Sequence, residues 1–360
     1  MSKIKICQII SMLCVGGAEK FVTELSKGFD KEKCDVYVIV LFSSIDSILE
    51  RELIKNDINL IFLDKKRGVD FSIIGKLRKI LKKIKPDVIN THLNSLIYAY
   101  ISTIGLQKRL KIFHTIHSVP HKEASGIKRI IHKFLFKYCN VFPIGISSII
   151  SKEAIEQYGL KSIITIYNGI EYLKYYNNKP YLDREIDFIH VGRMCEVKNH
   201  IVIIEAMKLV VKKYPNSKMV LIGNGPLEKK LKEEVKKFDL DKNIVFVGIT
   251  DNVEEYLSNS KIFVFPSLWE GNPLSLLEAI SAGCLVLTTQ VGGIPDVIKD
   301  RENGFFVDCD KESFALAMMH FLKNIINYEK FREDCSIAAQ KYDMRIVCDN
   351  YYKAYKNVGD

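Results

Sequence analysis

Pro266-Ser267-Leu268-Trp269-Glu270-Gly271-Asn272-Pro273-Leu274-Ser275-Leu276-Leu277-Glu278-Ala279 runs from just past a strand end through a loop into a helix start. A short apolar strand closes near Phe265. Asn272 is a good N-cap and Pro273 is favoured at a first helical position, so the spacing predicts a helix beginning there. Its first turn leaves the N–H groups of Leu274 and Ser275 free for an anion, with the positive end of the helix dipole behind them. Pro273 has no N–H and offers none. Glu270 stands in the loop, where a carboxylate can accept hydrogen bonds from the hydroxyls of a ligand. Glu278 lies almost two turns into the helix, among Leu276, Leu277, Ala279 and Ile280. A carboxylate in that company needs a partner. The vicinal hydroxyls of a ribose would satisfy it, and so would an ordinary salt bridge.

The same strand–loop–helix rhythm runs outward in both directions. Upstream, Ile4–Ile10, Asp35–Leu41, Asn59–Leu63, Asp87–Thr91 and Ile112–Ile116 read as strands, with helices over Glu19–Phe29 and Ile73–Ile84. After a polar, Tyr- and Asn-rich stretch around Glu171–Arg184 the rhythm restarts. Strands follow at Asp187–Val191, Lys218–Ile222, Ile244–Val247, Ile262–Phe265 and Leu285–Thr288. Alternation of this kind predicts parallel sheets covered on both faces, and 360 residues predict two of them. Ligands of such sheets sit beyond the carboxyl ends of the strands, so a cleft between two such domains is the expected site.

Two further clusters lie at expected strand ends. Arg193 follows Val191-Gly192, and Lys198 comes five residues later, just before a helix that begins near Asn199. Two fixed cations can stabilise the charge that grows on a departing diphosphate, the Arg as a planar fork and the Lys as a point charge. A solvated loop pair is the plainer alternative. Gly16-Gly17-Ala18-Glu19 separates the first strand from the first helix. Adjacent glycines allow a tight turn and close approach to a ligand, although a plain turn would use them equally. The loop has neither the G-K-[ST] of a P-loop nor the G-x-G-x-x-G of a dinucleotide site.

Composition narrows the classes. Apolar residues at 48% and charged residues at 27% describe a globular chain, and no run of ~18 uncharged apolar residues is present. The strand-like start, with no small-residue cleavage site after it, is not expected to be a secretory leader. Nine scattered cysteines without a C-x-x-C pair fit incidental thiols in a reducing compartment. The expected location is therefore cytoplasmic. The net charge of +10 is uneven: from Lys65 to Cys139, 17 Lys or Arg face only Asp70, Asp87 and Glu123. That stretch carries +14 and the remainder −4, a pattern suited to phosphates or anionic lipid headgroups and lacking the signature of a nucleic-acid module.

Taken together, these residues resemble the retaining glycosyltransferases of family 4, which have the GT-B fold. Glu270 and Glu278 match the E-x7-E motif, Arg193 and Lys198 the basic pair, and Gly16–Glu19 the early G-G-A-E loop. Asn168-Gly169-Ile170, Gly223-Asn224-Gly225-Pro226 and Val291-Gly292-Gly293-Ile294-Pro295-Asp296 resemble three further family loops, in the family's order. The resemblance implies an α/β architecture of two doubly wound Rossmann-like domains facing across a cleft. It implies an acceptor-binding domain over residues 1–175 and a nucleotide-sugar-binding domain over 176–341. A terminal helix, 342–360, would cross back to the first domain.

It implies further that Arg193 and Lys198 clamp the diphosphate, that Glu270 holds the sugar hydroxyls and that Glu278 holds the ribose. Gly16 and Gly17 would approach the diphosphate, Gly223, Gly225, Asn272, Leu274 and Ser275 would bind the donor, and His117 would line its sugar. Pro273 departs from many relatives, which have a free amide there. The implied reaction is transfer with retention, from a nucleotide diphosphate sugar with uridine as the expected base, and without a metal or other cofactor. The implied acceptor is a saccharide or a lipid-linked saccharide of surface glycan synthesis. A nucleotide-sugar epimerase of GT-B type and a non-catalytic sugar-nucleotide-binding protein are the alternatives.

Three features invite other readings. His92, His114, His117 and His121 lie within thirty residues, yet no nearby Asp or Cys completes a metal-ligand set. Asp308-Cys309-Asp310 spells D-x-D, but it precedes a helix from about Glu312, where turn and cap duty is expected. Ser72–Lys85 and Gly126–Tyr138 each combine an apolar set with many cations. In the first the set is Ile73, Ile74, Leu77, Ile80, Leu81 and Ile84; in the second it is Ile130, Ile131, Phe134 and Leu135. Both helices could simply pack on a sheet and solvate their charges. Alternatively they dock the first domain peripherally on an anionic membrane, each surface cation contributing ~1 kcal/mol.

Overall fold

The computed structural model describes residues 3–14, 16–106 and 109–358. Met1, Ser2, Gly359 and Asp360, the ends of two expected domains, lie outside the described residues, as does Lys108 of the basic stretch. The chain divides into two compact units, residues 1–169 with 344–360, and residues 170–343.

The first unit is built on seven parallel strands, β1 (Ile4–Ile10), β2 (Cys34–Val40), β3 (Asn59–Phe62), β4 (Val88–His92), β5 (Lys111–Ile116), β6 (Val141–Gly145) and β7 (Ile164–Thr165). Their order is β3-β2-β1-β4-β5-β6-β7, so the direction of winding reverses between β1 and β4. Runs such as Ile-Lys-Ile-Cys-Gln-Ile-Ile, apolar except for Lys5 and Gln8, suit strands covered on both faces. On one face Ile10, Val38 and Val40 pack with Val22 and Leu53 of the helices Gly17–Gly28 and Ile48–Lys55. On the other, Cys7, Ile9, Ile39 and Ile89 meet Ile73, Leu77, Leu81 and Ile84 of the helix Ser72–Ile84. The terminal helix Met344–Asn357 completes this unit. Tyr351 and Tyr355, one turn apart and fully buried, reach β5: the Tyr351 hydroxyl is 3.3 Å from Thr115 Oγ1, and the Tyr355 ring centroid is 4.9 Å from that of Phe113.

The second unit repeats the plan with six parallel strands. These are β8 (Ile186–Val191), β9 (Met219–Ile222), β10 (Ile244–Gly248), β11 (Ser260–Phe265), β12 (Leu285–Thr288) and β13 (Phe305–Phe306), in the order β10-β9-β8-β11-β12-β13. Here the reversal falls between β8 and β11. Its core includes Phe188, Leu221, Ile262, Val264 and Leu285 against Ile203, Met207 and Phe314.

Several local details differ from the sequence reading. Unit boundaries fall at 169/170 and 343/344 rather than at 175/176 and 341/342. Residues from Ile170 are held in the second unit by Ile170 N donating to Tyr342 O (2.9 Å), a Tyr172–Ser336 hydroxyl contact (3.0 Å) and Ser281 Oγ donating to Tyr172 O (3.1 Å). Pro143 conceals β6 in the sequence, because a residue without an N–H argues against an interior strand. The helix Gly126–Tyr138 turns His132, Leu135 and Phe136 inward and leaves Ile130 and Phe134 exposed, whereas the expected apolar set contained both of the latter. Among the described residues no helix is long and apolar enough to cross a membrane.

Burial depresses five imidazoles. His117 and His200 are pushed down to about 4 and His132 to about 2, while His92 and His190 lie well below the ordinary value of 6.5. The unfolded chain takes up these protons near pH 6.5 and the folded chain does not. Stability is therefore intact above about pH 7 and is lost as pH falls below 6.5, at up to ~1.4 kcal/mol per pH unit for each group. Thermal melts should show a flat Tm from about pH 7 to 8 and a steep fall toward pH 5. His132→Phe, which removes a ring whose two nitrogens have no hydrogen-bond partner, should lessen that fall; an unchanged slope would contradict the assignment.

Candidate active site

The switch point of the second sheet is bounded by the loops that leave β8 and β11. Lys198 ends the short 3-10 turn Glu196–Lys198, and Asn199 takes a left-handed conformation that turns the chain into the helix His200–Val210. Glu270 lies in the loop between β11 and the helix Leu274–Ser281. Leu268 N donates to Val197 O at 2.8 Å and ties the two loops together. Lys198 Nζ then donates to Glu270 Oε1 at 2.6 Å and lies 4.6 Å from the Phe265 ring centroid. Both side chains are mostly buried, 18% and 10% exposed, so this pair is screened by solvent less than a surface pair would be.

Glycines bring the neighbouring loops close. Gly223 has φ +121, and a Cβ there would stand 2.2 Å from Gly192 O; one at Gly225 would stand 2.3 Å from Met194 O. Met194 N donates to Asn224 O at 2.8 Å across the same contact. After β12, Gly292 has φ +54 and a Cβ would meet Glu270 O at 1.9 Å, while Gly293 N donates to that oxygen at 3.0 Å. The backbone of Glu270 is thus fixed from below by two glycines, and its side chain by Lys198. Beneath the β8 loop, His190 Nδ1 bonds Val264 O at 2.8 Å, and its ring stands 4.4 Å from that of His200.

Glu278 is 2% exposed on the Leu274–Ser281 helix, and Arg193 is exposed in the loop that ends with Lys198. The helix start needs one correction. Asn272 was expected as its cap with Pro273 in the first turn, but Pro273 has an extended backbone (φ −76, ψ 119) and itself occupies the cap position. Leu276 N bonds Pro273 O at 3.2 Å, so Leu274 and Ser275 form the first turn. Asn272 is buried in the loop beside Glu270 and Gly271. Both carboxylate oxygens of Asp310 accept from Ser313, the N–H and the hydroxyl each at 2.8 Å, which is the capping role expected of the D-x-D segment.

Gly16, Gly17 and His117 belong to the first unit. Gly16 is extended ahead of the helix that starts at Gly17, where a Cβ would meet no atom within 4 Å. His117 follows β5 and is the end of a chain of contacts the sequence did not reveal. His92 Nε2 lies 2.8 Å from Gln8 Oε1, and His92 Nδ1 lies 2.9 Å from His117 Nε2. A carboxamide oxygen only accepts, so His92 carries its proton on Nε2 and accepts at Nδ1. His117 must then donate from Nε2, which leaves its Nδ1 as an acceptor. Burial holds both rings neutral. Glu123 was not among the expected site residues; its carboxylate accepts from His114 Nε2 (2.8 Å) and from the His117 backbone N–H (3.0 Å). These ring nitrogens of His92 and His114 serve protein partners.

The sequence matches two family models. Residues 15–172 match the model described as Glycosyltransferase Family 4, and residues 176–342 that described as Glycosyl transferases group 1. Anabaena HepE, in its crystal structure with UDP and glucose, superposes with a TM-score of 0.84 over 98% of this chain and 99% of that one. At 16% identity that likeness is one of fold, and the fold is of the GT-B class. The chain belongs to glycosyltransferase family 4.

Glycosyltransferase MJ1059 of Methanocaldococcus jannaschii is 31% identical over 238 residues, which is 59% of this chain and only 58% of that protein's length. The capsular polysaccharide biosynthesis glycosyltransferase CapH of Staphylococcus aureus is 29% identical over 329 residues, 88% of this chain and 87% of CapH. An Escherichia coli UDP-Gal:α-D-GlcNAc-diphosphoundecaprenol α-1,3-galactosyltransferase is 26% identical over 358 residues, 88% of each chain.

Gly292→Ala should be costly, because it forces a Cβ into Glu270 O at a left-handed φ. We expect a loss of about 2 kcal/mol or more in stability, read as a lowered Tm, with Gly17→Ala as the near-neutral comparison.

Proposed function

We propose that this glycosyltransferase moves a hexose or N-acetylhexosamine from a nucleotide diphosphate sugar, with UDP as the nucleotide, to a saccharide or lipid-linked saccharide acceptor in surface polysaccharide synthesis. The observation that carries the reading is the 2.6 Å Lys198–Glu270 pair at the switch point of the second sheet. A cation and a carboxylate fixed side by side suit a ligand whose diphosphate adjoins a ring of hydroxyls. In this reading Lys198 and the exposed Arg193 take the phosphate oxygens, and Glu270 accepts from the sugar hydroxyls. The Leu274 and Ser275 amides add dipolar stabilisation, and buried Glu278 accepts from the ribose. Gly223 and Gly225 let the β9 loop lie close beneath the donor. Within the first unit, His117 offers its Nδ1 lone pair to a ligand hydroxyl, and Gly16 and Gly17 leave the backbone bare at a helix start.

The acceptor hydroxyl attacks the anomeric carbon from the face the nucleotide leaves. Its proton passes to a leaving phosphate oxygen, which gives retention. Charge on that leaving group is met by Arg193 and Lys198, so in this reading a divalent ion is not required. The names of the relatives support the substrate classes: one acts in capsular polysaccharide synthesis, and another is named as transferring galactose from UDP-Gal to a GlcNAc-diphosphoundecaprenol.

A thermal-shift panel of nucleotide sugars should single out a uridine diphosphate sugar. The best donor is then given saccharide and lipid-linked acceptors and the product anomer read by NMR, where an inverted product would contradict the stereochemistry. Glu278→Ala should weaken nucleotide affinity ~10–100-fold. Lys198→Ala should lower kcat ~100-fold or more. Excess chelator should leave turnover unchanged; loss rescued by a divalent cation would overturn the metal-free reading.

A further inference from the structure

The two basic helices of the first unit are alike in sequence and differ in how they sit. Strand register shows that they cover the same face of the sheet. Ile89 pairs with Cys7 and Ile112, and Thr91 with Ile9 and His114, so these side chains share one face. The helix Ser72–Ile84 packs on Cys7, Ile9 and Ile89, while His132 of the helix Gly126–Tyr138 meets His114 with ring centroids 5.3 Å apart.

Ser72–Ile84 buries Ile73, Leu77, Leu81 and Ile84 and leaves Lys79, Lys82 and Lys83 in solvent, as an ordinary surface helix does. Gly126–Tyr138 does not. Ile127, Ile130, Phe134 and Tyr138 are 75%, 64%, 55% and 72% exposed. At spacings of three and four residues they form one continuous stripe along the outer face, with the Phe134 and Tyr138 rings 5.6 Å apart. Arg129, Lys133 and Lys137, also exposed and four residues apart, run as a line along one edge of that stripe. Between Gly126 and Tyr138 there is no acidic residue. Glu123 just ahead of the helix is mostly buried against His114.

We propose that this helix is an interfacial anchor, which lays Ile127, Ile130, Phe134 and Tyr138 into the surface of an anionic lipid bilayer while Arg129, Lys133 and Lys137 engage the headgroups. An apolar face bordered by cations is the composition that lies in the plane of such an interface. Lys and Arg extend their charges from a buried stem toward the headgroups, and the Tyr138 hydroxyl can remain at the polar boundary. Charge complementarity selects the lipid over a second copy of this chain, because the helix has no acidic residue between Gly126 and Tyr138 to pair with another copy's cations, whereas an anionic headgroup layer pairs with all of them. The stripe adds apolar insertion to the purely electrostatic docking that the sequence suggested. It is independent of the sugar-transfer reading, since its test needs neither donor nor acceptor.

The full chain is sedimented with vesicles of phosphatidylcholine containing phosphatidylglycerol, and with vesicles of phosphatidylcholine alone, at low and high salt. Binding to the anionic vesicles that weakens with salt is expected. The exposed double variant I130S/F134S should partition roughly ten-fold or more weakly into them, with its circular dichroism and its UDP affinity unchanged. K133Q/K137Q should lose binding chiefly on the anionic vesicles. The proposal is overturned if the wild-type chain ignores both vesicle types or if I130S/F134S binds as the wild type does. It is equally overturned if sizing shows a wild-type dimer that I130S/F134S dissociates, which would assign the stripe to a second copy.

Discussion

A single ion pair, Lys198 with Glu270, organises the carboxyl edge of the second sheet. Its partners arrive from β8 and β11, adjacent parallel strands whose connecting helices leave in opposite directions, so the loops between them part and expose a crevice. Such a crevice would be lined by bare backbone unless something tied the loops together. Here the Leu268–Val197 hydrogen bond does so through the main chain and Lys198–Glu270 through side chains. Those ties hold the two loops in a fixed relation, and the proposed grip on both phosphate and hydroxyl groups depends on such positioning.

Glycine is the means by which the surrounding loops come this close. Gly223 and Gly225 rest on the Gly192–Met194 backbone, and Gly292 rests on Glu270 O, at separations no side chain could share. The charged residues are thus carried on a layer of backbone stacked on backbone. In the first unit a different device serves His117: Gln8 and His92 fix its tautomer by a chain of hydrogen bonds that ends in an acceptor nitrogen. Burial keeps the rings of that chain uncharged, at the cost of acid stability.

Much of this was legible in the sequence because the relevant signals are local. Apolar runs marked most of the strands, Glu270 and the Arg193–Lys198 pair marked loops at strand ends, and Glu278 marked the helix that follows. What stayed hidden was nonlocal or ambiguous. Gln8 and His92 are 84 residues apart and meet only because β1 and β4 are neighbours across the reversal of winding. Glu123 carried no motif. Pro273 could be read as a first helical residue or as a cap, and only its ψ of 119° decides. The helix Gly126–Tyr138 offers two apolar sets at helical spacing, so periodicity alone could not say which one faces the sheet.

The direct test of the account is calorimetric titration of the wild-type chain and Lys198→Ala with UDP and with UMP, in the presence of chelator. If the basic pair holds the second phosphate, wild type should bind UDP at least ~10-fold more tightly than UMP, and Lys198→Ala should lose most of that preference while keeping its UMP affinity. Equal affinity for UDP and UMP in the wild type, or a preference untouched by Lys198→Ala, would contradict it.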